Sequence, residues 1–360
     1  MKKIRICLIG MLCAVFCLCA TSEGASVGAS VKKETRLSQK GEEYKAYQIE
    51  LKNYLLQSEM KKADMEKAFQ SYTASMNEVS FEVFKEAELA YKKSCFYENN
   101  GAAWLKEQWQ REDGTFQLQI ASYWLLRSEC DYVKVQLRKW QSMYREALQK
   151  RKKGLITRTE EKEVLCQLRN IREQLKRKEK KVSTQEREIR SRSGEKNIGR
   201  AALKSKTVGK KAATKYLSLW KKNKTGYRQF LFELSVYKEY LEGLRSDVLN
   251  QNIRVKYVEN EVRLLTIQKK LYIEGMRKKI RDKIGDYQEA KVSWKAKERE
   301  LAVAKEKMKQ VRLLKKKGQT VESGVQKQRE EVARLVYEKA VCRCQMDEKL
   351  IELEYGLEDS

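Results

Sequence analysis

Residues 151–190 read RKKGLITRTEEKEVLCQLRNIREQLKRKEKKVSTQEREIR. Three cations followed by Gly154 predict the end of a helix, because cations interact favourably with its carbonyl end and glycine accepts the left-handed conformation that follows. Thr157 or Thr159 can cap the next helix, whose first turn is acidic. The stretch therefore predicts a tight turn between two helices.

The helix after this turn carries an apolar stripe with a period of seven. The stripe consists of Leu168, Leu175, Val182 and Ile189, with Val164 and Ile171 at the alternate positions. Apolar residues at the two core positions of a heptad are typical of helices that pack side by side. We therefore expect this helix to pack lengthwise against the one before the turn.

The turn has a counterpart 164 residues later. Lys152-Lys153-Gly154 and Lys316-Lys317-Gly318 each follow a long helical stretch and precede a heptad-patterned one. The second heptad helix, about 320–355, carries its stripe on Val325, Val332, Met346 and Leu353, with Leu335 on the other core position. The sequence therefore predicts an all-α fold of two repeated long antiparallel helical hairpins.

Other stretches give weaker signals. The pattern predicts a helix over 42–93, a break at 94–101 and a continuous helix over 257–317. Residues 102–123 fit either a helix or a short hairpin turning at Asp113-Gly114. At most vestigial β-hairpins are therefore expected.

The N-terminus has the layout of a secretory signal peptide. A cationic start is followed by the apolar run 6–20 and by small residues. We expect cleavage near residues 20–25, with an uncleaved anchor as the alternative. The predicted organisation is a signal peptide (1–25), a flexible lead-in (26–41), a first helical-hairpin repeat (42–190), a linker (191–210) and a second repeat (211–357).

Composition argues against enzymatic activity. The chain has 360 residues and contains neither Pro nor His. Without His, the commonest general base and the imidazole ligands of zinc are missing, which excludes Ser-His-Asp triads, Cys-His hydrolases and His-based zinc sites. We therefore expect no enzyme, and no catalytic residue, cofactor site or metal site.

Five cysteines remain after the signal segment, namely Cys95, Cys130, Cys166, Cys342 and Cys344. An odd number cannot pair fully within one chain. We interpret them as small apolar residues on helices, and a disulfide or a metal site is the alternative.

These features resemble the TolC family of outer-membrane efflux proteins. Hairpin tips in that family carry Gly, an apolar residue and then Thr or Ser, as Gly154-Leu155-Ile156-Thr157 does; Gly318-Gln319-Thr320-Val321 fits less well. The C-terminal stretch with Glu354-Tyr355-Gly356 is also similar. The resemblance implies an α-barrel-like trimer of exported chains, with both tips contacting an adaptor protein. The family's membrane β-hairpins are reduced or missing in this sequence.

The excess of positive charge supports a second interpretation of the function. The chain has 78 Lys+Arg and 50 Asp+Glu, which gives a net charge of +28. Residues 151–224 hold 25 Lys+Arg and 8 Asp+Glu, a net charge of +17. Such a stretch is either a solvated helix face or a binding surface for an anionic envelope polymer or nucleic acid, and export argues against nucleic acid. We expect an envelope component of an efflux or secretion assembly, located in the outer membrane or periplasm, or extracellular or membrane-anchored in a cell with a single membrane. The alternative is an exported coiled-coil scaffold for anionic cell-wall or surface partners.

Overall fold

The computed structural model describes residues 36–38, 41–199, 212–246, 252–319 and 321–356. These residues form helices and no strand, so the all-α prediction is confirmed. The helices are α1 (Glu42–Ser75), α2 (Glu78–Ser94), α3 (Phe96–Lys152), α4 (Arg158–Ser193), α5 (Ala212–Asn223), α6 (Thr225–Ser246), α7 (Asn252–Lys316) and α8 (Glu322–Tyr355).

The two halves of the chain repeat one arrangement. In the first half, α1 leads through a turn into α2 and the long helix α3, and α4 returns alongside α3. In the second half, α5 and α6 lead into the long helix α7, and α8 returns alongside α7. Two long antiparallel helical hairpins, α3–α4 and α7–α8, therefore form the molecule as the sequence predicts.

The hairpins are joined because α3 packs against α8, which gives the order α4–α3–α8–α7. Tyr132 on α3 stacks on Tyr337 of α8, with ring centroids 5.7 Å apart. Seven residues further along α3, Lys139 pairs with Glu330, which lies seven residues back along α8, at 2.7 Å. The equal and opposite steps show that the two helices run antiparallel, and α4 and α7 form the two outer edges of the row.

The predicted heptad stripes form the hairpin interiors. On α4, Leu168, Leu175 and Ile189 are buried, and Leu175 packs with Cys130 and Val133 of α3. On α8 the buried stripe residues are Val325, Leu335, Met346 and Leu353. Burial of these narrow stripes holds each returning helix against its long partner.

The offset of 164 residues also relates the buried cores. Phe116 and Ile189 share a buried cluster in the first half, and the residues 164 later, Ile280 and Leu353, share one in the second half. Tyr123 and Tyr287 are a further buried pair with this spacing. The repeat is therefore present in the packing as well as in the turns.

The predicted break at 94–101 is confined to one residue, Cys95, where α2 ends and α3 begins. Asn100 lies inside α3, donating its side-chain N–H to the Phe96 carbonyl at 3.1 Å. Gly101 lies inside α3 where α1 packs closely: a Cβ at this position would lie 2.7 Å from Leu51 Cδ1. The glycine permits a close approach of two helices instead of ending one.

The predicted helix over 42–93 is divided in the structure. Met76 takes the left-handed conformation, with φ 46°, and its N–H bonds to the Tyr72 carbonyl. Asn77 caps α2 by accepting the Ser80 N–H at 2.8 Å. Asn77 followed by Glu78 is an N-cap signal that could have located this turn.

Residues 102–123 are helical, which settles the alternative left by the sequence. Phe116, Ile120 and Tyr123 recur at spacings of four and three, and all three are buried in one cluster. Asp113, in place of turning a hairpin, accepts the Leu37 N–H at 3.4 Å and the Tyr355 hydroxyl at 3.0 Å. It thereby ties the start and the end of the described chain to α3.

Several sequence predictions concern residues outside the described ranges. The signal peptide (1–25) lies outside the described residues, as do most of the lead-in and residues 200–210 of the linker. Residues 191–193 of the predicted linker are the last residues of α4, and residues 194–199 follow this helix. The five cysteines from Cys95 to Cys344 are thiols in the structure.

Tyr216 predicts an alkaline limit to stability. It is 5% exposed, and burial, with a smaller contribution from the Glu354 carboxylate, raises the pKa of its phenol from 10.0 to about 12. The unfolded chain loses this proton near pH 10 whereas the folded chain keeps it to about pH 12, so the folded state binds more protons in that window. The free energy of unfolding therefore falls as the pH rises through it.

We expect Tyr216→Phe to reduce this fall between pH 10 and 12 by about 2 kcal/mol. Urea denaturation at a series of pH values measures the effect. Tyr257→Phe is the control, because Tyr257 is exposed. Identical pH dependence in Tyr216→Phe and the parent protein would contradict the assignment.

Candidate functional site: the two hairpin tips

The first tip joins α3 to α4 through residues 153–157. Gly154, with φ 71°, follows the last turn of α3. Its N–H donates to the Arg151 carbonyl at 2.9 Å, and the Leu155 N–H donates to the Lys150 carbonyl at 2.9 Å. This pair of bonds is a Schellman motif, which satisfies the carbonyls that a helix end leaves free. The motif needs a left-handed residue, hence the glycine.

The second tip, residues 317–321 between α7 and α8, has the same backbone over its described part. Gly318 also has φ 71°. Its N–H donates to the Lys315 carbonyl at 3.0 Å, and the Gln319 N–H donates to the Leu314 carbonyl at 2.9 Å. In both tips the returning helix begins four residues after the glycine. The two turns are therefore equivalent in length and in hydrogen bonding.

The tips differ in how the returning helix is capped. Thr157 forms a capping box, in which its hydroxyl accepts the Glu160 N–H at 3.2 Å and Glu160 Oε2 accepts the Thr157 N–H at 2.7 Å. That backbone hydrogen bond lowers the pKa of Glu160. Val321 occupies the same place in the second tip and provides no side-chain cap. The first turn is thus the more firmly capped of the two.

One ion pair crosses each turn. Arg151 pairs with Glu161 in the first tip, and Lys315 pairs with Glu322 in the second. The hydrogen bond from Lys315 lowers the pKa of Glu322. The cations without an ion pair to a described residue are Lys150, Lys152 and Lys153 in the first tip and Lys316 and Lys317 in the second. Both tips therefore present excess positive charge.

The predicted site residues occupy different environments. Leu155 and Val321 are each 69% exposed, and Gln319 is exposed as well. Ile156 is half-buried, and Thr320 lies outside the described residues. Leu313 and Leu314, which no sequence pattern singled out, also leave apolar surface exposed just before the second tip.

The register between α3 and α8 places both tips at the same end of the row. The pairing of Lys139 with Glu330, continued eight residues towards the tips, sets Ala147 level with Glu322 at the start of α8. Residue 147 lies five positions before the end of α3. The two turns therefore lie within about two helical turns of one another along the helix axis.

The tips combine exposed apolar side chains and cations with two tight turns that are closed by backbone hydrogen bonds. In the described part of the chain, no group of three or more His, Cys, Asp or Glu is placed to hold a metal ion. None of the described helices combines the length and the apolar character needed to cross a bilayer.

Comparison with known proteins gives structural matches alone, since neither a family model nor a curated protein matches the sequence. CusC, whose structures concern folding and transmembrane channel formation, matches with a TM-score of 0.53 and 11% identity, over 89% of this chain and 97% of that one. A membrane protein from Pseudomonas aeruginosa has a TM-score of 0.49 and 10% identity, over 94% and 99%. The CmeC outer membrane channel of Campylobacter jejuni has values of 0.43 and 10%, over 93% and 93%.

The CusC match extends over most of both chains, and at 11% identity it concerns the fold. The chain therefore has the helical fold of the TolC-like outer-membrane channels, as the sequence resemblance predicted.

Proposed function

We propose that this chain is an exported, non-enzymatic component of a TolC-type efflux or secretion assembly in the cell envelope. The observation that carries the proposal is the pair of equivalent tips, at Gly154 and Gly318, at one end of a CusC-like fold. CusC is described as forming a transmembrane channel, and CmeC as an outer membrane channel. Transport of this kind needs an assembly and a docking surface, and no reaction centre.

We propose that the assembly is a homotrimer. The row α4–α3–α8–α7 ends at α4 and α7, and α5 and α6 pack against the first half of α7. Beyond that part α7 exposes large apolar side chains, among them Val292 at 68% and Val303 at 56%. Apolar side chains spaced along one helix edge are typical of surfaces that a neighbouring chain covers. A ring of copies would bury these edges, and the number three comes from the family resemblance.

We further propose that the tips dock end-on against an adaptor protein. The contact surface would comprise Gly154, Leu155, Ile156 and Thr157 of the first tip with Gly318, Gln319, Thr320 and Val321 of the second. Leu155 and Val321 are the exposed apolar members, and Ile156 contributes packing inside its turn. An adaptor with an apolar, acidic helical tip would complement this surface in shape and charge.

Replacing Leu155 and Val321 with Ser should abolish adaptor binding or export while leaving the melting temperature within 2 °C of the parent value. The physical reason is that both side chains are exposed, so their loss removes contact area for a partner and little internal packing. Pull-down of the adaptor and an efflux or secretion assay measure the first effect, and circular dichroism the second.

Val79→Ser is the matched control for this pair, because Val79 is similarly exposed and lies on α2, away from the tips and from the edge of α7. It should leave adaptor binding unchanged. Full binding by the Leu155→Ser, Val321→Ser protein, or equal loss in the control, would refute docking through the tips.

A second function is favoured by the charge of α4. Its 36 residues include 12 Lys+Arg against 7 Asp+Glu, and none of the large apolar side chains exposed in the described chain lies on it. An exported scaffold could use this basic edge to bind an anionic envelope polymer. Polyphosphate as a probe should then bind with an affinity that falls steeply between 50 and 200 mM salt. A strictly monomeric protein that binds polyphosphate in this way would favour the scaffold over the channel component.

A further inference from the structure

A cleft of about 530 Å³ opens where α3, α8 and α7 meet, away from both tips. Two tryptophans line it, Trp124 from α3 and Trp294 from α7. Ser128 and Ala340 also line it, and their small side chains leave the space between the larger ones. The cleft is a feature of the junction between the two hairpins and does not depend on the proposed function.

Cations lie over both indole rings. The Arg127 guanidinium carbon is 5.2 Å from the centroid of the Trp124 ring. Lys339 Nζ and the Arg343 guanidinium carbon are 5.3 and 5.4 Å from the centroid of the Trp294 ring. These contacts hold the aromatic walls of the cleft in place and put positive charge beside them.

Two of the three cations are already balanced by acids. Lys339 pairs with Glu298 at 2.6 Å, and Arg343 pairs with Asp347 at 2.8 Å. The remaining cation, Arg127, makes no ion pair with any described residue.

One carboxylate, that of Asp131, also lines the cleft. Lys134 lies 3.9 Å from Asp131 and 3.4 Å from Glu179, so this lysine is shared between two acids. Among the cations that line the cleft, Arg127 is the one without an ion pair to a described residue, and Asp131 disfavours a second negative group on a ligand.

We propose that this cleft binds an organic monoanion with a flat apolar body and one carboxylate. The apolar body packs against the faces of Trp124 and Trp294, and the carboxylate receives the planar fork of donors that Arg127 presents. A neutral molecule of the same shape would leave Arg127 unpaired, and a dianion would meet one uncompensated cation only.

Isothermal titration calorimetry of the full-length chain with 1-naphthoate tests this proposal, with 1-naphthalenemethanol as the neutral probe. We expect saturable binding of 1-naphthoate with a Kd below about 1 mM, and binding of the alcohol at least tenfold weaker. No saturable binding of 1-naphthoate, or equal binding of the alcohol, would overturn the proposal.

Two variants locate the site. Arg127→Gln should weaken 1-naphthoate binding at least tenfold, and its fold should be unaffected because Arg127 is exposed. Trp294→Leu should weaken binding of both probes. Arg145→Gln, at another exposed arginine on α3, is the matched control and should bind as the parent does. Binding unchanged in Arg127→Gln would show that the anion is held elsewhere.

Discussion

Trp220→Ala is expected to lower the free energy of unfolding by about 3–5 kcal/mol. Trp220 is 3% exposed and shares a buried cluster with Ile280 and Leu353. Its indole N–H donates to the Leu353 carbonyl at 3.1 Å, and Gly356 packs against its ring so closely that a Cβ there would lie 3.3 Å away. The ring therefore fastens the end of α8 to α5, and removing it leaves a large cavity. Guanidinium chloride denaturation measures the loss.

Trp220→Phe separates packing from hydrogen bonding in this contact. It keeps most of the ring and removes the N–H, so we expect a loss of about 1–2 kcal/mol. Lys224 Nζ, which donates to the Gly356 carbonyl at 2.8 Å, remains in place in both variants. A loss below 1 kcal/mol for Trp220→Ala would mean that α5 does not anchor the C-terminal helix.

Phe116→Ala should lower the free energy of unfolding by a similar amount, about 3–5 kcal/mol. The Phe116 side chain is fully buried with Ile120 and Ile189, and the Arg192 guanidinium lies 5.2 Å from its ring centroid. The substitution therefore removes a large apolar side chain and a cation–π contact at once. Guanidinium chloride denaturation measures the loss in free energy of unfolding.

The repeat provides the matched comparison for Phe116. Ile280 lies 164 residues later and is equally buried. Ile280→Ala should lower the free energy of unfolding by about 2–5 kcal/mol. Val292→Ala, on the exposed edge of α7, should stay within about 0.5 kcal/mol of the parent. A negligible cost at Ile280 would contradict the equivalence of the two cores.

The heptad helices were predictable because one narrow stripe settles their packing. Leu168, Leu175 and Ile189 recur every seven or fourteen residues, and a helix with such a stripe has one face to bury. The turn at Asn77 was missed, because its signal is a single capping residue in a long helical pattern. The predicted helix break wrongly includes Gly101. In the sequence, a glycine that allows a neighbouring helix to pack closely cannot be distinguished from one that ends a helix.

The backbone conformation of the tips was predictable from the sequence, whereas the exposure of their side chains was less so. Gly154 and Gly318 follow basic last turns, and this local signal fixes the helix ends. Sequence spacing could not show that Ile156 turns partly inward while Leu155 stays exposed. The cleft lay beyond sequence reasoning altogether, because Trp124 and Trp294 meet through the packing of three helices.

Sedimentation equilibrium of the mature chain at tens of micromolar tests the proposed assembly most directly. α4 and α7 flank the row of helices, and beyond the part that α5 and α6 cover, α7 exposes apolar side chains such as Val292 and Val303. An assembly of the TolC type requires that copies of the chain cover these edges. We predict the mass of a trimer. A strict monomer over this concentration range would contradict the proposed assembly.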